Sequence, residues 1–246
     1  MRIAVLSDIH GNHIALQAVL EHAGPVDGLW SLGDVVGYGP DPNACVQTLA
    51  ARPHAGIAGN HDWGALGKLD LAEFNVDARQ ANLWTRERLT PRSWSFLDSL
   101  PEMLVEGRYT LAHGSPRHPI WEYIVYASVA CQNFSFFQTG VCLVGHTHLP
   151  AIFVGPGEGD GEAGDCHVVP PLVGEGVTLG EERYIINPGS VGQPRDGDAR
   201  AAYLLLDTHT GTMEHRRVAY DIEAVQGKMR AAGLPPRSIA RLEYGW

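Results

Sequence analysis

Short apolar segments along the chain end repeatedly in polar residues. The segment "RIAVLS" precedes Asp8, "GLWSL" precedes Asp34, and "HAGIAG" precedes Asn60. The same arrangement recurs where "YTLA" precedes His113 and "VCLV" precedes residues 145–148. Short apolar runs bounded by turn or polar residues are typical of buried strands. The pattern therefore predicts five strands, each followed directly by polar side chains.

Helical patterns separate the first three of these strands. The spacing i, i+3, i+4, i+7 of one buried helix face is followed by Leu16, Val19, Leu20 and Ala23. A shorter pattern begins after Pro42, a residue that suits the first turn of a helix. Strands that alternate with helices favour a largely parallel sheet covered on both faces. Ligands bind beyond the carboxyl ends of such strands, which is where the polar clusters fall.

The rest of the chain mixes helices and strands. Helices are predicted within residues 71–100, over 121–137 and over 221–232. The segments "RYIIN", "AYLLLD" and "TMEHRRVAY" are predicted to be strands, which we expect to be antiparallel. The acidic, glycine-rich stretch 155–165 is predicted to be a surface loop. Without a repeat or a clear linker, one domain is expected over residues 1–246.

Composition and charge narrow the classes of partner. The 246 residues are 44% hydrophobic and 19% charged, as in ordinary globular proteins. The net charge of −10 argues against a partner that is a nucleic acid duplex. A small phosphorylated substrate stays compatible with this charge, because bound cations can reverse the local field. Neither a signal peptide nor an apolar stretch of about 18 residues is apparent, so a cytoplasmic protein without membrane association is expected.

The four cysteines are widely spaced. Because they form no C-x-x-C pair, we expect neither a disulfide framework nor a thiolate zinc site. They are Cys45, Cys131, Cys142 and Cys166. The oligomeric state is not encoded in any pattern along the chain, and a homo-oligomer is compatible with the sequence.

The polar residues at the strand ends are of the types that bind metal ions. Residues i and i+2 of a strand point the same way, so Asp8 can face the same point as His10, and His146 the same point as His148. Each pair alone is a weak signal, since a helix cap or a core histidine is the commoner explanation. Together, the oxygen and imidazole groups suit first-row divalent metals. The complete set is Asp8, His10, Asp34, Asn60, His113, His146 and His148.

In this order the motifs resemble those of the calcineurin-like metallophosphoesterase superfamily. The matching segments are "DIH" at 8–10, "GD" at 33–34, "GNHD" at 59–62, His113, and "GHTH" at 145–148. The later segment "IINPGSVGQPRDGDARAAYLLLD" is similar to the smaller bacterial and archaeal branch that includes YfcE-type phosphodiesterases. The resemblance implies an α/β fold, a four-layer αββα sandwich of two mixed β-sheets flanked by helices.

The resemblance also implies a dinuclear phosphoesterase. Two divalent ions are expected, with manganese first and iron, zinc, nickel, cobalt or magnesium as alternatives. The implied ligands are Asp8, His10 and His148 for the first metal, Asn60, His113 and His146 for the second, and Asp34 as the bridge. A hydroxide between the metals would attack a phosphodiester or phosphomonoester, with His61 as the general acid. The competing hypothesis for His61 is a residue that only orients Asn60.

Substrate contacts are the least determined part of the prediction. Asn60, Arg117 and Arg195 are candidates for binding the substrate phosphate, although each arginine is more often a surface or structural residue. Trp121, Tyr123 and Tyr126 are candidates for lining a cleft, against the commoner reading that aromatic residues of a helix belong to the core. Nucleotides are candidate substrates.

The sequence bears differently on four alternatives to a dinuclear phosphoesterase. The segment "GDVVGYG" at 33–39 lacks the second acid and the arginine of the serine/threonine phosphatase branch, which weakens that alternative and leaves the partner that orients His61 unidentified. A dinucleoside polyphosphate hydrolase and a metal-bearing scaffold that binds proteins remain alternatives. A metallo-amidohydrolase is discounted, because such a barrel takes about 250 residues and leaves no room for the strand-rich tail.

Overall fold

The computed structural model describes residues 1–155 and 166–246, and its strands form two six-stranded sheets. The first sheet contains β1 (Arg2–Leu6), β2 (Gly28–Ser31), β3 (His54–Gly56), β9 (Gly176–Thr178), β11 (Ala201–Asp207) and β12 (Thr212–Val218). The second contains β4 (Met103–Glu106), β5 (Tyr109–Ala112), β6 (Val141–Leu143), β7 (Ala151–Val154), β8 (His167–Val169) and β10 (Tyr184–Asn187). The strand orders are β3-β2-β1-β11-β12-β9 and β4-β5-β6-β10-β7-β8.

Helices connect and cover these strands. They are α1 (His13–Ala23), α2 (Pro42–Ala50), α3 (Asn60–Leu66), α4 (Val76–Arg86), α5 (Pro91–Asp98), α6 (Ala127–Asn133), α7 (Ile222–Ala231) and α8 (Pro236–Tyr244), with 3₁₀ turns at Leu71–Glu73 and Phe134–Phe136. The predicted face of α1 is confirmed, and Pro42 begins α2 as expected. None of the helices in the described ranges combines the length and the hydropathy needed to span a bilayer.

Both sheets mix parallel and antiparallel pairs. Strands β1, β2 and β3 are parallel neighbours, as are β5, β6 and β10. The remaining pairs are antiparallel, including β1 with β11 and β11 with β12. The carboxyl ends of β1, β2 and β3 therefore lie at one edge, and the polar residues after them come together there.

The two sheets pack face to face with helices on the outside. Alternate residues of β1 point to opposite faces, as the two-residue period of a strand requires. Ile3 and Val5 pack between the sheets against Leu204 of β11. Ala4 and Leu6 face the layer formed by α1, α2 and neighbouring helices. A further apolar cluster beneath α6 covers the outer face of the second sheet. The predicted four-layer αββα sandwich is thereby confirmed.

Two local expectations were wrong, and one helix was not predicted. The helix predicted over 121–137 occupies only Ala127–Asn133 and the 3₁₀ turn that follows it. Residues 121–126 are irregular: Trp121 packs against the apolar cluster that contains Phe74, and Glu122 pairs with Arg117. The tail strands are not one antiparallel unit, since β10 joins the second sheet and pairs in parallel with β6. Helix α8 was not predicted, because its apolar pattern is short.

The cysteine expectation also needs correction. Cys131 of α6 and Cys166 form a disulfide with Cα atoms 5.6 Å apart, although 35 residues separate them in sequence. Fold topology brings them together, because α6 covers the sheet in which β8 follows Cys166. The predicted surface loop over 155–165 lies, apart from Gly155, outside the described residues. That residues 1–246 form one domain stays a prediction.

The loop before β11 packs tightly against the loop after β1. The Val191 amide donates to the Ser7 carbonyl (3.0 Å) and the Gly192 amide to the Asp8 carbonyl (2.9 Å). A Cβ added at Gly192 would overlap the carbonyl oxygen of Ile9. This close approach requires glycine, and it fixes the loop that carries Asp8.

We therefore expect Gly192→Ala to lower the free energy of unfolding by about 1–3 kcal/mol, because the added methyl group forces the two loops apart. Gly227→Ala is the matched control, since nothing lies within 4 Å of a Cβ at this helical position. It should raise the free energy of unfolding by about 0.5–1 kcal/mol. Urea denaturation of the metal-free protein measures both, and an equal effect of the two variants would contradict the argument.

Candidate metal centre

The backbone at the strand ends is held in an unusual conformation. Within the described ranges, every residue other than glycine with positive φ belongs to the predicted ligand set. These residues are Asp8 (52°), His10 (49°), Asp34 (53°), His146 (65°) and His148 (61°). A left-handed conformation costs an L-residue about 1–2 kcal/mol. Such strain persists only where the surrounding structure enforces it, and it is concentrated at functional sites.

The predicted ligand atoms converge on one buried point. His10 Nε2 lies 3.0 Å from His148 Nε2, and His148 Nε2 lies 3.3 Å from Asp8 Oδ1. The Asp34 carboxylate is central, since its Oδ2 lies 3.6 Å from His10 Nε2 and 3.4 Å from His113 Nε2. Three groups of donor atoms lie within 4.8 Å of one another: Asp8 with His10 and His148, His10 with Asp34 and His61, and Asp34 with His113 and His146.

Asn60 completes this arrangement from the start of α3. Its Oδ1 lies 3.1 Å from His113 Nε2. The Asp34 Oδ1 accepts the backbone N–H of His61 (2.7 Å), which ties the start of α3 to the loop after β2. A side chain at Gly59 would overlap Asp34, so the two loops meet only because this position is glycine. Asp62 joins the same loops by accepting the amides of Val36 and Gly59, both at 3.0 Å.

Hydrogen bonds orient the imidazoles toward this point. His113 Nδ1 contacts the Leu32 carbonyl (2.7 Å), and His148 Nδ1 contacts the Gln193 carbonyl (2.5 Å). Because a carbonyl only accepts, each Nδ1 carries a hydrogen, and in the neutral form of each ring Nε2 presents a lone pair. Metal-binding histidines are commonly oriented in this way.

The centre also contains buried polar atoms that lack a partner. Asp8 Oδ2 accepts hydrogen bonds from Ser7 Oγ (2.6 Å) and the His146 amide (3.1 Å), whereas Asp8 Oδ1 accepts none within the described residues. His146 Nε2 is likewise buried without a partner. Unpaired buried acceptors are costly, and divalent cations would satisfy them. The donor set therefore fits a pair of such ions.

Burial and neighbouring charges shift the protonation of the centre. Burial, only partly offset by His113, raises the pKa of Asp8 to about 7. Burial alone would raise the pKa of Asp34, but His113 and His61 hold it below its usual range. The reverse holds for His113: burial alone would lower its pKa, yet Asp34 and Asp8 raise it to about 9. Without metal, one protonated imidazole therefore balances Asp34 at pH 7.

The remaining imidazoles of the centre are neutral at pH 7 in the metal-free chain. Burial is the main cause in each case. It lowers the pKa well below the usual histidine value for His10, His146 and His148. Neutral imidazole is the form that binds metal, so these three side chains need lose no proton when an ion enters.

His61 lies beside the centre and faces a cavity. Its ring makes an edge contact with His10, at 4.8 Å between centroids, and packs against Tyr38 and Phe74. Burial lowers the pKa of His61 to about 4, whereas nearby Asp34 and the Asn82 side chain act in the opposite direction. Asn82 is fully buried on α4 and interacts with His61, although its amide makes no hydrogen bond of good geometry within the described residues.

The cavity in front of the centre has a volume of about 700 Å³. Its floor includes Asp34, Asn60, His61, His146 and His148, and its walls carry the aromatic residues Tyr38, Phe74, Trp121 and Tyr123. Tyr123 stacks on the His146 ring at 4.0 Å between centroids. Tyr126, the third aromatic candidate, is 70% exposed and does not line the cavity. A phosphorylated small molecule can therefore reach the centre from this side.

The two arginine candidates differ in position. Arg195 lines the cavity and lies over the Tyr38 ring, 5.9 Å from its centroid. Arg117 does not line it. The guanidinium of Arg117 pairs with Glu122, donates to Gln132 (2.8 Å), and so braces the segment that presents Trp121 and Tyr123. The structure therefore brings Arg195, but not Arg117, to the centre.

Three cavity or near-cavity residues were missed from sequence. Arg237 and Arg241 of α8 line the cavity, and Asn82 supports His61. A signal existed for Asn82, because it is a polar residue four positions after Ala78 on the buried face of α4. The two arginines lie outside every recognised motif, and only their spacing of four residues on α8 could have drawn attention to them.

Comparison with known proteins identifies the family. The profile described as the calcineurin-like phosphoesterase superfamily domain matches residues 1–211. This chain belongs to that superfamily. Membership makes it a metal-dependent hydrolase that acts on phosphoesters, in agreement with the geometry of the centre.

Several relatives extend over the whole chain. The uncharacterized protein MJ0912 of Methanocaldococcus jannaschii is 39% identical over 253 residues, covering 99% of this chain and 98% of that protein. A metallophosphoesterase from Sphaerobacter thermophilus is 44% identical, with a TM-score of 0.89 and coverage of 100% and 99%. The hypothetical protein PH1004 from Pyrococcus horikoshii shares the fold at 22% identity, with a TM-score of 0.78 and coverage of 100% and 98%.

The role of Glu122 gives a prediction with a defined pH dependence. Burial alone would raise the pKa of Glu122, but hydrogen bonds from Arg117 and Asn133 lower it to about 2. A carboxyl whose pKa is lower in the folded state stabilises the protein above its unfolded pKa, and the contribution is lost as the pH falls. We therefore expect Glu122→Gln to unfold at a lower temperature than the wild type at pH 7.

The difference in unfolding temperature between the wild type and Glu122→Gln should shrink as the pH falls from about 5 toward about 2. Thermal unfolding followed by circular dichroism across this range measures it. Glu106→Gln serves as the control, because Glu106 makes no ion pair within the described residues and should show little difference at any pH. If the unfolding temperature of Glu122→Gln stays below that of the wild type by the same amount at every pH, the lowered pKa of Glu122 is contradicted.

Proposed function

We propose that this chain hydrolyses phosphodiester or phosphomonoester bonds of small substrates at a centre of two divalent cations, with nucleotides as candidate substrates. The observation that carries the proposal is the confinement of positive φ to five predicted ligands. Strain of this kind would be removed from a purely structural strand end, where an ordinary backbone conformation serves equally well. Here it turns carboxylate and imidazole groups from separate loops toward one point.

The residues divide naturally between two cation positions. Asp8, His10 and His148 would hold one ion, and Asn60, His113 and His146 the other. Asp34 would contact both, because its carboxylate lies between His10 and His113. Two ions in such a site lower the pKa of bound water and neutralise charge on the phosphate. Manganese is our first expectation, with iron, zinc, nickel, cobalt and magnesium as alternatives.

His61 is proposed as the general acid that protonates the leaving oxygen. It faces the cavity beside the centre. One of its nitrogens lies within 4.8 Å of donor atoms of His10 and Asp34, but the proposal assigns His61 to neither cation position. A phosphate group brought next to the ring supplies negative charge, which favours the protonated imidazole. Asn82 supports this ring from α4, so it takes the place of the acid that the 33–39 segment lacks. Asn60 and Arg195 are proposed to bind the phosphate oxygens.

A second candidate activity is the hydrolysis of dinucleoside polyphosphates. The size of the cavity favours it, together with Trp121 and Tyr123 on the wall, because nucleobases stack on aromatic rings. The protein phosphatase and scaffold hypotheses have no such supporting feature. Membership of the YfcE-type branch, a cytoplasmic location, homo-oligomer formation, and the absence of membrane and duplex partners stay predictions. The Cys131–Cys166 disulfide makes the location worth testing, since disulfides are uncommon in mesophilic cytosol.

The central test is hydrolysis of bis(p-nitrophenyl) phosphate by protein stripped with chelator and reloaded with manganese. Activity should vanish on stripping and return on reloading. Asp34→Asn should lower kcat/KM about 100-fold or more, because it removes the carboxylate shared by both cation positions. His209→Ala, at an exposed histidine outside the cavity, is the control and should retain activity.

Folding of each variant is checked by circular dichroism. If folded wild-type protein turns over neither bis(p-nitrophenyl) phosphate nor p-nitrophenyl phosphate with any of the six metals, the proposed hydrolase activity is wrong.

The Asn82–His61 contact predicts an effect that depends on the leaving group. Asn82→Ala should lower kcat about 10-fold or more for esters of ordinary alcohols, whose oxygen must be protonated as it departs. The loss should be much smaller for p-nitrophenyl esters, because p-nitrophenolate leaves without a proton. Steady-state rates on the two ester types measure the contrast. An equal loss on both would assign Asn82 a purely structural role, and Asn82→Asp should restore part of the activity.

A further inference from the structure

The last helix of the fold presents two arginines to the cavity. Arg237 and Arg241 are four residues apart on α8, so they share one face. The other face of α8 buries Ile239 and Leu242 in an apolar cluster that also contains Phe74. The helix is therefore fixed along the cavity wall by its own core residues.

Further contacts hold the end of α8 beside Arg195. The Gly197 amide donates to the Gly245 carbonyl (2.9 Å), two residues after Arg195. The Trp246 amide donates to the Arg241 carbonyl (3.2 Å), and Arg241 Nε donates to the Trp246 carbonyl. These contacts bring Arg195 and Arg241 to the same side of the cavity, and they hold the Arg241 side chain in one orientation.

Several arginines of the fold form ion pairs with Asp or Glu, but, among the described residues, the three cavity arginines do not. Within the described ranges, no Asp or Glu oxygen lies within 4.0 Å of Arg195, Arg237 or Arg241, although Arg241 Nε is hydrogen-bonded to the backbone oxygen of Trp246. By contrast, ion pairs with acids are made by Arg88, Arg117, Arg200, Arg216 and Arg217. Arg195 Nε is in addition buried with no partner among those residues. Three neighbouring guanidinium groups that no described Asp or Glu side chain pairs with form a site for an anion.

Arg195 interacts electrostatically both with the centre and with Arg241. The charge of Arg195 acts on Asp8 and His61. Burial lowers the pKa of Arg241, and the neighbouring charges of Arg195 and Arg237 lower it further. Asp77 and Glu73 line the cavity as well, and Asp77 acts in the opposite direction on Arg241. With Asp34 assigned to the cation positions, Glu73 and Asp77 are the acids of the cavity lining that oppose the three arginines.

We propose that Arg237 and Arg241 form a subsite for a second phosphate group of the substrate, which lies beyond Arg195 and away from the bond that is cleaved. The substrate class is then a phosphoester that carries a further phosphate group. This inference rests on the proposed function for the position of the scissile phosphate. The subsite itself depends only on residues of α8 and the Arg195 loop.

A kinetic comparison tests the subsite with two substrates that differ by one phosphate. They are thymidine 5′-(p-nitrophenyl phosphate) and its 3′-phosphorylated derivative. Wild-type protein with manganese should show a KM about 10-fold or more lower for the derivative, with a similar kcat. In the double variant Arg237→Gln, Arg241→Gln, this advantage should disappear, while the KM for the substrate without the 3′-phosphate stays near its wild-type value.

Two further variants sharpen this comparison. Arg92→Gln is the control, because Arg92 is exposed on α5 and does not line the cavity, and it should keep the full advantage. Asp77→Asn removes an opposing charge and should increase the advantage. An undiminished preference in the double variant, or no preference in active wild-type protein, would overturn the proposal.

A binding measurement separates the subsite from the catalytic proposal. Inorganic pyrophosphate is titrated calorimetrically into chelator-treated protein, so that neither turnover nor bound metal is needed. We expect binding that weakens about 10-fold or more in the double variant and is unchanged in Arg92→Gln. Absence of hydrolysis together with this binding would reject the proposed function but keep the subsite. Hydrolysis without any effect of Arg237 and Arg241 on pyrophosphate binding would reject the subsite alone.

Discussion

Two carboxylates, Asp8 and Asp34, are buried next to each other where the strands end, and each raises the cost of ionising the other. The surrounding fold has to hold these groups in place and supply positive charge around them. In the metal-free chain His113 does so through its raised pKa, and the charge of Arg195 acts on Asp8 as well. The other imidazoles stay neutral, and their lone pairs face the same point as the carboxylates. This is an environment that is complete only when cations enter it.

The sandwich supplies the rigidity that this environment needs. Ile3 and Val5 anchor β1 between the sheets, and the residues that follow turn at once into the strained conformation of Asp8. Val191 and Gly192, in the loop before β11, hold that turn through backbone hydrogen bonds to Ser7 and Asp8. The predicted ligands thus lie outside the strands, but each is close to the end of a strand or at the start of a helix.

Sequence reasoning succeeded where a local pattern determines the structure. The apolar runs before Asp8 and Asp34 predict strand ends, and the two-residue period of β1 separates its two faces without further information. It failed where distant residues decide the outcome. Nothing near Cys131 reveals that Cys166 will lie beside it. The predicted helix over 121–137 begins only at Ala127, and the aromatic and β-branched residues before it are weak helix formers. The sequence makes Arg117 a candidate for binding phosphate, but in the structure its guanidinium group forms an ion pair with Glu122.

The stacking of Tyr123 on His146 links the interior of the centre to its surface. Tyr123 is 51% exposed, whereas His146 is almost fully buried, and Trp121 lies 6.3 Å from the same imidazole. Any change in the charge or position of that imidazole alters the surroundings of two fluorescent side chains. The emission of the protein thereby becomes an optical reading of whether the centre is filled, obtained without a label and without a substrate.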